Sequence, residues 1–245
     1  MLLSSKRYKE ISNIVRSFLL SDAVCDVLPI DIFYILKKCR ENIRYITYGD
    51  YAKLCGSNVD FIIKEFGSEY GFTIYNSDED NYVIAYNESC DACSVRWTLA
   101  HELGHILLEH LKDENYTFET HCAPDSIYES EANFFAKKFL VPFTALDILH
   151  KNYILNEQVI MDVFDINYRP AEIILDNYNK LHFYSNDFEM ICKFGNAVSE
   201  YIDYNNYNSY NDYYNNYDYY SPNERYETFC SSAEYDEIMH RRSIY

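Results

Sequence analysis

Arg96-Trp97-Thr98-Leu99-Ala100-His101-Glu102-Leu103-Gly104-His105 is the stretch on which the reading of this chain turns. Leu99, Leu103, Ile106 and Leu107 recur at helical spacing, so an apolar helix is expected over Ser94–Leu111. His101 and His105, four residues apart, then stand one turn apart on the same face. Two imidazoles so placed can reach one Zn2+ at about 2.0–2.1 Å each. Glu102 is turned by about 100° from His101 on a helix of about 3.6 residues per turn, so it flanks the ion and can reach a water there as general base. Gly104 keeps another face slim for close packing. The plain alternative is a surface helix with two exposed histidines. The apolar flanks oppose it, because histidines on such a helix are partly buried and need partners.

A catalytic zinc needs a third protein ligand and an open position. The next helix, expected over about Ser126–Leu140 and ended by Pro142, supplies it in Glu129-Ser130-Glu131-Ala132-Asn133. Glu129 and Asn133 share a face, whereas Glu131 points about 200° away from Glu129. Glu129 is favoured as the ligand with Asn133 as an orienting partner, and Glu131 is the competitor. A solvated acidic face is the alternative for both. Phe135 and Phe139 are expected to pack this helix on the metal helix.

Working outward, the N-terminal region shows Ile11, Ile14, Val15, Phe18 and Leu19 on one stripe, and Ile32, Ile35, Leu36 and Cys39 on another after Pro29. A third helix, capped by Ser57, carries Val59, Ile62, Ile63 and Phe66 and stops at Gly67. Two β-rich runs, Phe72–Tyr75 and Tyr82–Tyr86, are split by turn-forming residues and read as a hairpin. Short helices are expected over Thr144–Lys151, Asn156–Phe164 and Pro170–Lys180, with Pro170 at a first helical position. The fold class is therefore α+β: a small sheet containing an antiparallel pair, packed with helices. Residues 1–27 form an N-terminal helix, 28–180 the central domain and 181–245 a low-complexity tail. Within that tail residues 201–226 hold ten tyrosines and seven asparagines, a tract without aliphatic periodicity that reads as disordered or weakly ordered.

The chain has 245 residues, 48% of them hydrophobic, which is ample for a core and excludes wholesale disorder. The net charge of −18 is distributed as +3 over residues 1–49, −14 over 50–180 and −7 over 181–245. No basic footprint for nucleic acid exists, nor an attraction to anionic membranes. No run of apolar residues is long enough to span a bilayer, and the N-terminus does not read as a signal peptide, so a cytoplasmic protein is expected. The eight cysteines are then expected to be reduced. Cys90 and Cys93, with His121 and Cys122 downstream, have the residue types of a second, structural zinc site, but the adjacent His-Cys pair strains tetrahedral ligation and unpaired thiols are the better reading.

The two blocks RWTLAHELGHILLEH and ESEANFFAKKFLVP closely resemble the ImmA/IrrE family of metallo-endopeptidases. The resemblance extends more loosely from about Leu28 through Lys180. It implies a gluzincin-like zinc protease with one catalytic ion held by His101, His105 and Glu129, and with Glu102 activating water. It also implies a protein substrate, since members of that family typically act as anti-repressors that cleave a helix-turn-helix repressor of a phage or mobile element. The tail and a companion domain fall outside the resemblance.

The metal would lower the pKa of water to about 7 for attack on a peptide carbonyl, and the developing oxyanion needs a further donor. His110, His121 and Tyr153 are the candidates. A non-catalytic regulator that binds and sequesters a partner is the alternative from a different class, and a hydrolase of small amides is another. A pure binder has no need of Glu102.

Overall fold

The computed structural model describes residues 3–113, 126–152, 154–181 and 187–217, with side chains to 180 and 205 in the last two segments. Residues Met1–Tyr204 make one compact unit and Asn205–Tyr245 another. The class is mixed α and β, with a three-stranded sheet among helices.

Helix α1 (Ser5–Leu19) starts where the Ser4 side chain accepts from the Arg7 amide, and it buries Ile11, Val15 and Leu19 as the stripe requires. Helix α2 (Ile32–Lys38) is capped by Asp31. Strand β1 (Ile43–Thr47) and helix α3 (Tyr48–Leu54) follow. Helix α4 (Val59–Phe66) takes its cap from Asn58, whose Oδ1 accepts from the Phe61 amide, rather than from Ser57 one residue earlier. It ends at Gly67 in the left-handed conformation, φ 62°, which only glycine adopts without a Cβ penalty.

Strands β2 (Gly71–Asn76) and β3 (Asn81–Tyr86) form the expected hairpin, with Thr73 opposite Ile84 and Phe72 opposite Ala85. The sheet order is β1-β3-β2, with β1 parallel to β3, so β2 is an edge. Side chains alternate between two faces. Ile84 and Tyr82 join the main core with Leu99 and Leu103, whereas Phe72 and Ala85 pack with Tyr48, Ala52 and Ile62 of α3 and α4. The sheet is thus sandwiched between the α3–α4 pair and α5 (Ala92–Leu107), which is capped by Asp91.

Helix α5 does not run to Leu111. It stops at Leu107, passes through Glu109 at φ 59°, and re-forms as a 3-10 turn over His110–Lys112. Helix α6 (Ile127–Leu140) is capped by Ser126. It lies against α5 through the flat face at Gly104, where Phe135 comes closest. Helices α7 (Phe143–Lys151), α8 (Glu157–Phe164) and α9 (Tyr168–Leu181) follow, with Pro170 inside the first turn of α9 rather than at its first position.

Helix α10 (Phe188–Tyr217) extends into the tract 201–226 that the sequence reads as disordered or weakly ordered, with helical backbone through 217. Met190, Phe194 and Val198, four residues apart, bury one stripe of its first half and anchor it. The rest of that tract lies outside the described residues. Among the described residues, no helix is long and apolar enough to cross a membrane.

Candidate metal centre

Helix α5 presents His101 and His105 on one face, and α6 brings Glu129 against both. The Nε2 atoms of the two histidines are 3.1 Å apart. His101 Nε2 lies 3.2 Å from Glu129 Oε2, and His105 Nε2 lies 3.1 Å from Glu129 Oε1. Ligands held tetrahedrally at about 2.0–2.1 Å from one ion are separated by about 3.3 Å. The two imidazoles and the carboxylate thus converge, each histidine facing its own Glu129 oxygen, with one ligand atom from each residue within 4.8 Å of the others. Among the described residues, His101, His105 and Glu129 are the one group with metal-binding geometry.

Each histidine is oriented from behind. Asn133 Oδ1 is 3.2 Å from His101 Nδ1, where the ring N–H donates and leaves Nε2 facing the centre. His105 Nδ1 is 3.0 Å from His110 Nδ1, and His110 Nε2 is 2.9 Å from Glu131 Oε2. Arg7 closes this series with a forked pair to Glu131, Nε donating at 2.8 Å and Nη2 donating to the second oxygen. Glu131 thus lies with His110 and Arg7, whereas Glu129 faces the Nε2 atoms of His101 and His105.

The electrostatics follow the packing. Burial works against ionisation of Glu129, yet hydrogen bonds from His101 and His105 hold its carboxyl well below the usual range. Burial likewise opposes the charged form of His101, and the Glu129 hydrogen bond with the Glu102 and Glu129 charges outweighs it and raises its pKa. Burial, followed by the neighbouring His105, pushes His110 down to about 4. A neutral His110 can accept at one nitrogen and donate at the other.

Glu102, on the neighbouring face of α5, is 2% exposed, and Oγ1 of Thr73 donates to its Oε2 at 2.7 Å. A cleft of about 540 Å³ opens over this group. Its lining includes Gly71 at the start of the edge strand, Trp97, Thr98 and Glu102 of α5, and Asn167 and Arg169.

Of the three candidate oxyanion donors, His110 is 3% exposed behind His105, with its nitrogens directed at His105 and Glu131 instead of the cleft. His121 and Tyr153 lie outside the described residues. Cys90 and Cys93 are free thiols, and Cys93 Sγ contacts Asp165 Oδ1 at 3.4 Å. Cys122 lies outside the described residues. Thr73 and Arg7 escaped the sequence reading. Thr73 had a signal, since alternation along the strand opposes it to Phe72 and turns it to the face of α5. Arg7, which sits 124 residues from Glu131, had none.

No curated protein gives a significant match to the chain. Residues 57–172 match the family model described as the IrrE N-terminal-like domain. That segment contains both histidines, Glu102 and Glu129, and the match supports the similarity of the chain to the ImmA/IrrE family of metallopeptidases.

Proposed function

We propose that this chain is a zinc-dependent endopeptidase with one catalytic ion held by His101, His105 and Glu129. The observation that carries this reading is the convergence of His101, His105 and Glu129, each histidine Nε2 3.1–3.2 Å from a Glu129 oxygen, beside the Glu102 carboxylate that is not part of the group. Two neutral imidazoles and one carboxylate suit zinc, and three protein ligands leave a position open for chemistry, in a gluzincin-like arrangement. Zinc bound there supplies a Lewis acid that polarises a carbonyl and makes water acidic near neutral pH.

The chain's own residues do the rest. Glu102 takes a proton from the attacking water and delivers it to the leaving amine as the peptide bond breaks. Thr73 holds the Glu102 carboxylate, fixing one oxygen so that the other faces the cleft. The walls of the cleft at Gly71 and Trp97 position the peptide and limit the access of bulk water.

The substrate we propose is a helix-turn-helix transcriptional repressor, as the family resemblance implies, so the protein acts as an anti-repressor in the cytoplasm. A regulator that only binds its partner would not require a hydrogen-bonded Glu102 in the cleft, and the Thr73 contact favours catalysis. Purified protein loaded with zinc tests the reading on a peptide library. Cleavage by the wild type, and none by a Glu102→Gln protein that retains one zinc per chain, supports it. Equal cleavage by both, or no zinc in the wild type, overturns it.

A further inference from the structure

The side chains behind His105 make a continuous path to the first helix. Donors and acceptors along it can be followed from the Arg7 end. Arg7 can only donate, so the Glu131 carboxylate accepts from it at both oxygens, Nε to Oε1 at 2.8 Å and Nη2 to Oε2. The ionised carboxylate can only accept, so at 2.9 Å it takes the hydrogen from His110 Nε2. His110 Nδ1 is then the acceptor, and the hydrogen in its 3.0 Å contact belongs to His105 Nδ1. His105 is left with a hydrogen on Nδ1, so that Nε2, 3.1 Å from Glu129 Oε1 and from His101 Nε2, is the nitrogen that a metal would take in place of a proton.

We infer that Arg7 is a positioning residue for the metal centre, acting through Glu131 and His110 to fix the tautomer and ring orientation of His105. The inference rests on the metal-site reading proposed above. Each link is sequestered: His105 is 0% exposed, His110 3% and Glu131 6%. Water therefore cannot replace a missing partner at little cost. The left-handed turn at Glu109 serves this arrangement. On an uninterrupted helix, positions 105 and 110 would point about 140° apart. The break after Leu107 is what folds His110 back onto His105.

Two features make this more than ordinary support of a ligand. Arg7 lies outside residues 57–172, so a helix beyond the matched domain completes the ligand's hydrogen bonding. The contact is also forked. A lysine would keep the charge but lose the two parallel donors. Docking of α1 is thereby linked to metal affinity: any event that withdraws Arg7 leaves Glu131 and His110 without their anchor.

The test uses the full chain as wild type, Arg7→Ala and Arg7→Lys. Two-bond proton–nitrogen correlation spectra of histidine-labelled, zinc-free protein report which ring nitrogen of His105 carries the proton. Competition with a fluorescent chelator gives the zinc dissociation constant. Wild type is expected to show His105 protonated at Nδ1 throughout. Arg7→Ala is expected to show a tautomer mixture and to bind zinc about tenfold more weakly, as loss of an orienting partner does, with Arg7→Lys in between. Thermal melts of the zinc-free proteins establish that both variants fold. A folded Arg7→Ala protein with an unchanged His105 tautomer and unchanged zinc affinity would overturn the inference. A wild type that binds no zinc would overturn the metal reading instead, and the zinc-free spectra would still decide the relay.

Discussion

Thr73 Oγ1 donates to Glu102 Oε2 at 2.7 Å, tying to the edge strand of the sheet a cleft carboxylate that is not part of the His101–His105–Glu129 group. Without this bond the carboxylate would be free to swing toward the histidines as an unproductive ligand. Thr73→Val keeps the shape and removes the donor. A single hydrogen bond to a charged group contributes about 1.5 kcal/mol or more, so kcat is expected to fall about tenfold, with zinc content and KM unchanged. Thr73→Ser should recover most of the rate. Steady-state kinetics check this, and an unchanged kcat in the valine variant would remove Thr73 from the mechanism.

Glu129 and Glu131 lie two positions apart on α6 yet serve different partners. Glu129 faces both Nε2 atoms, and Glu131 faces His110 and Arg7. Zinc content after dialysis is expected to collapse in Glu129→Ala and to fall only partly in Glu131→Ala. Elemental analysis of the two purified proteins distinguishes them. The reverse order would assign the third ligand to Glu131.

Gly104 allows α5 and α6 to approach. A Cβ built there would meet Phe135 Cδ1 at 3.0 Å, Cγ at 3.1 Å and Cβ at 3.2 Å, and Phe135 is fully buried and cannot swing away. Gly104→Ala gains helix propensity of ~1 kcal/mol but forces the two ligand-bearing helices apart, an overpacking that costs about 1–3 kcal/mol. A net loss of about 1 kcal/mol lowers the melting midpoint by about 2–4 °C for a chain of this size. Zinc affinity should fall with it. A midpoint and an affinity at wild-type level would show that Phe135 has another place to go.

Cys93 lines the cleft without being a good nucleophile. Burial first, then the carboxylate of Asp165, pushes its thiol up to about 11. Only the thiolate is alkylated, so the rate at Cys93 should still climb about tenfold per pH unit between pH 8 and 10. Mass spectrometry after timed iodoacetamide exposure measures it residue by residue. A rate that levels off below pH 9 would contradict the assigned environment.

The sequence made local periodicities legible and left distant pairings hidden. The stripes of α1 and α4, the β2–β3 hairpin and the one-turn spacing of His101 and His105 are relations within a few residues, and the structure shows each of them. The placement of Glu129 over the histidines depended on helical phase within α6. Strand β1 was missed although Ile43-Arg44-Tyr45-Ile46-Thr47 is a good strand sequence, because its partner β3 is parallel and parallel pairing carries no turn signal. The stop after Leu107 was missed because Leu108 and Leu111 continue the apolar spacing, and the left-handed Glu109 overrides it. Arg7 belongs to the same class as β1. Its partner is fixed by how α1 docks on α6, which no window of sequence contains.

The measurement that most directly tests proteolysis compares new protein N-termini in cells expressing the wild type with those in cells expressing Glu102→Gln. The variant removes the base and leaves His101, His105 and Glu129 in place. Cleavage of a helix-turn-helix repressor with the wild type alone is the expected result. Identical N-termini in both, from proteins that each hold zinc, would contradict the proteolytic role and favour a protein that only binds its partner.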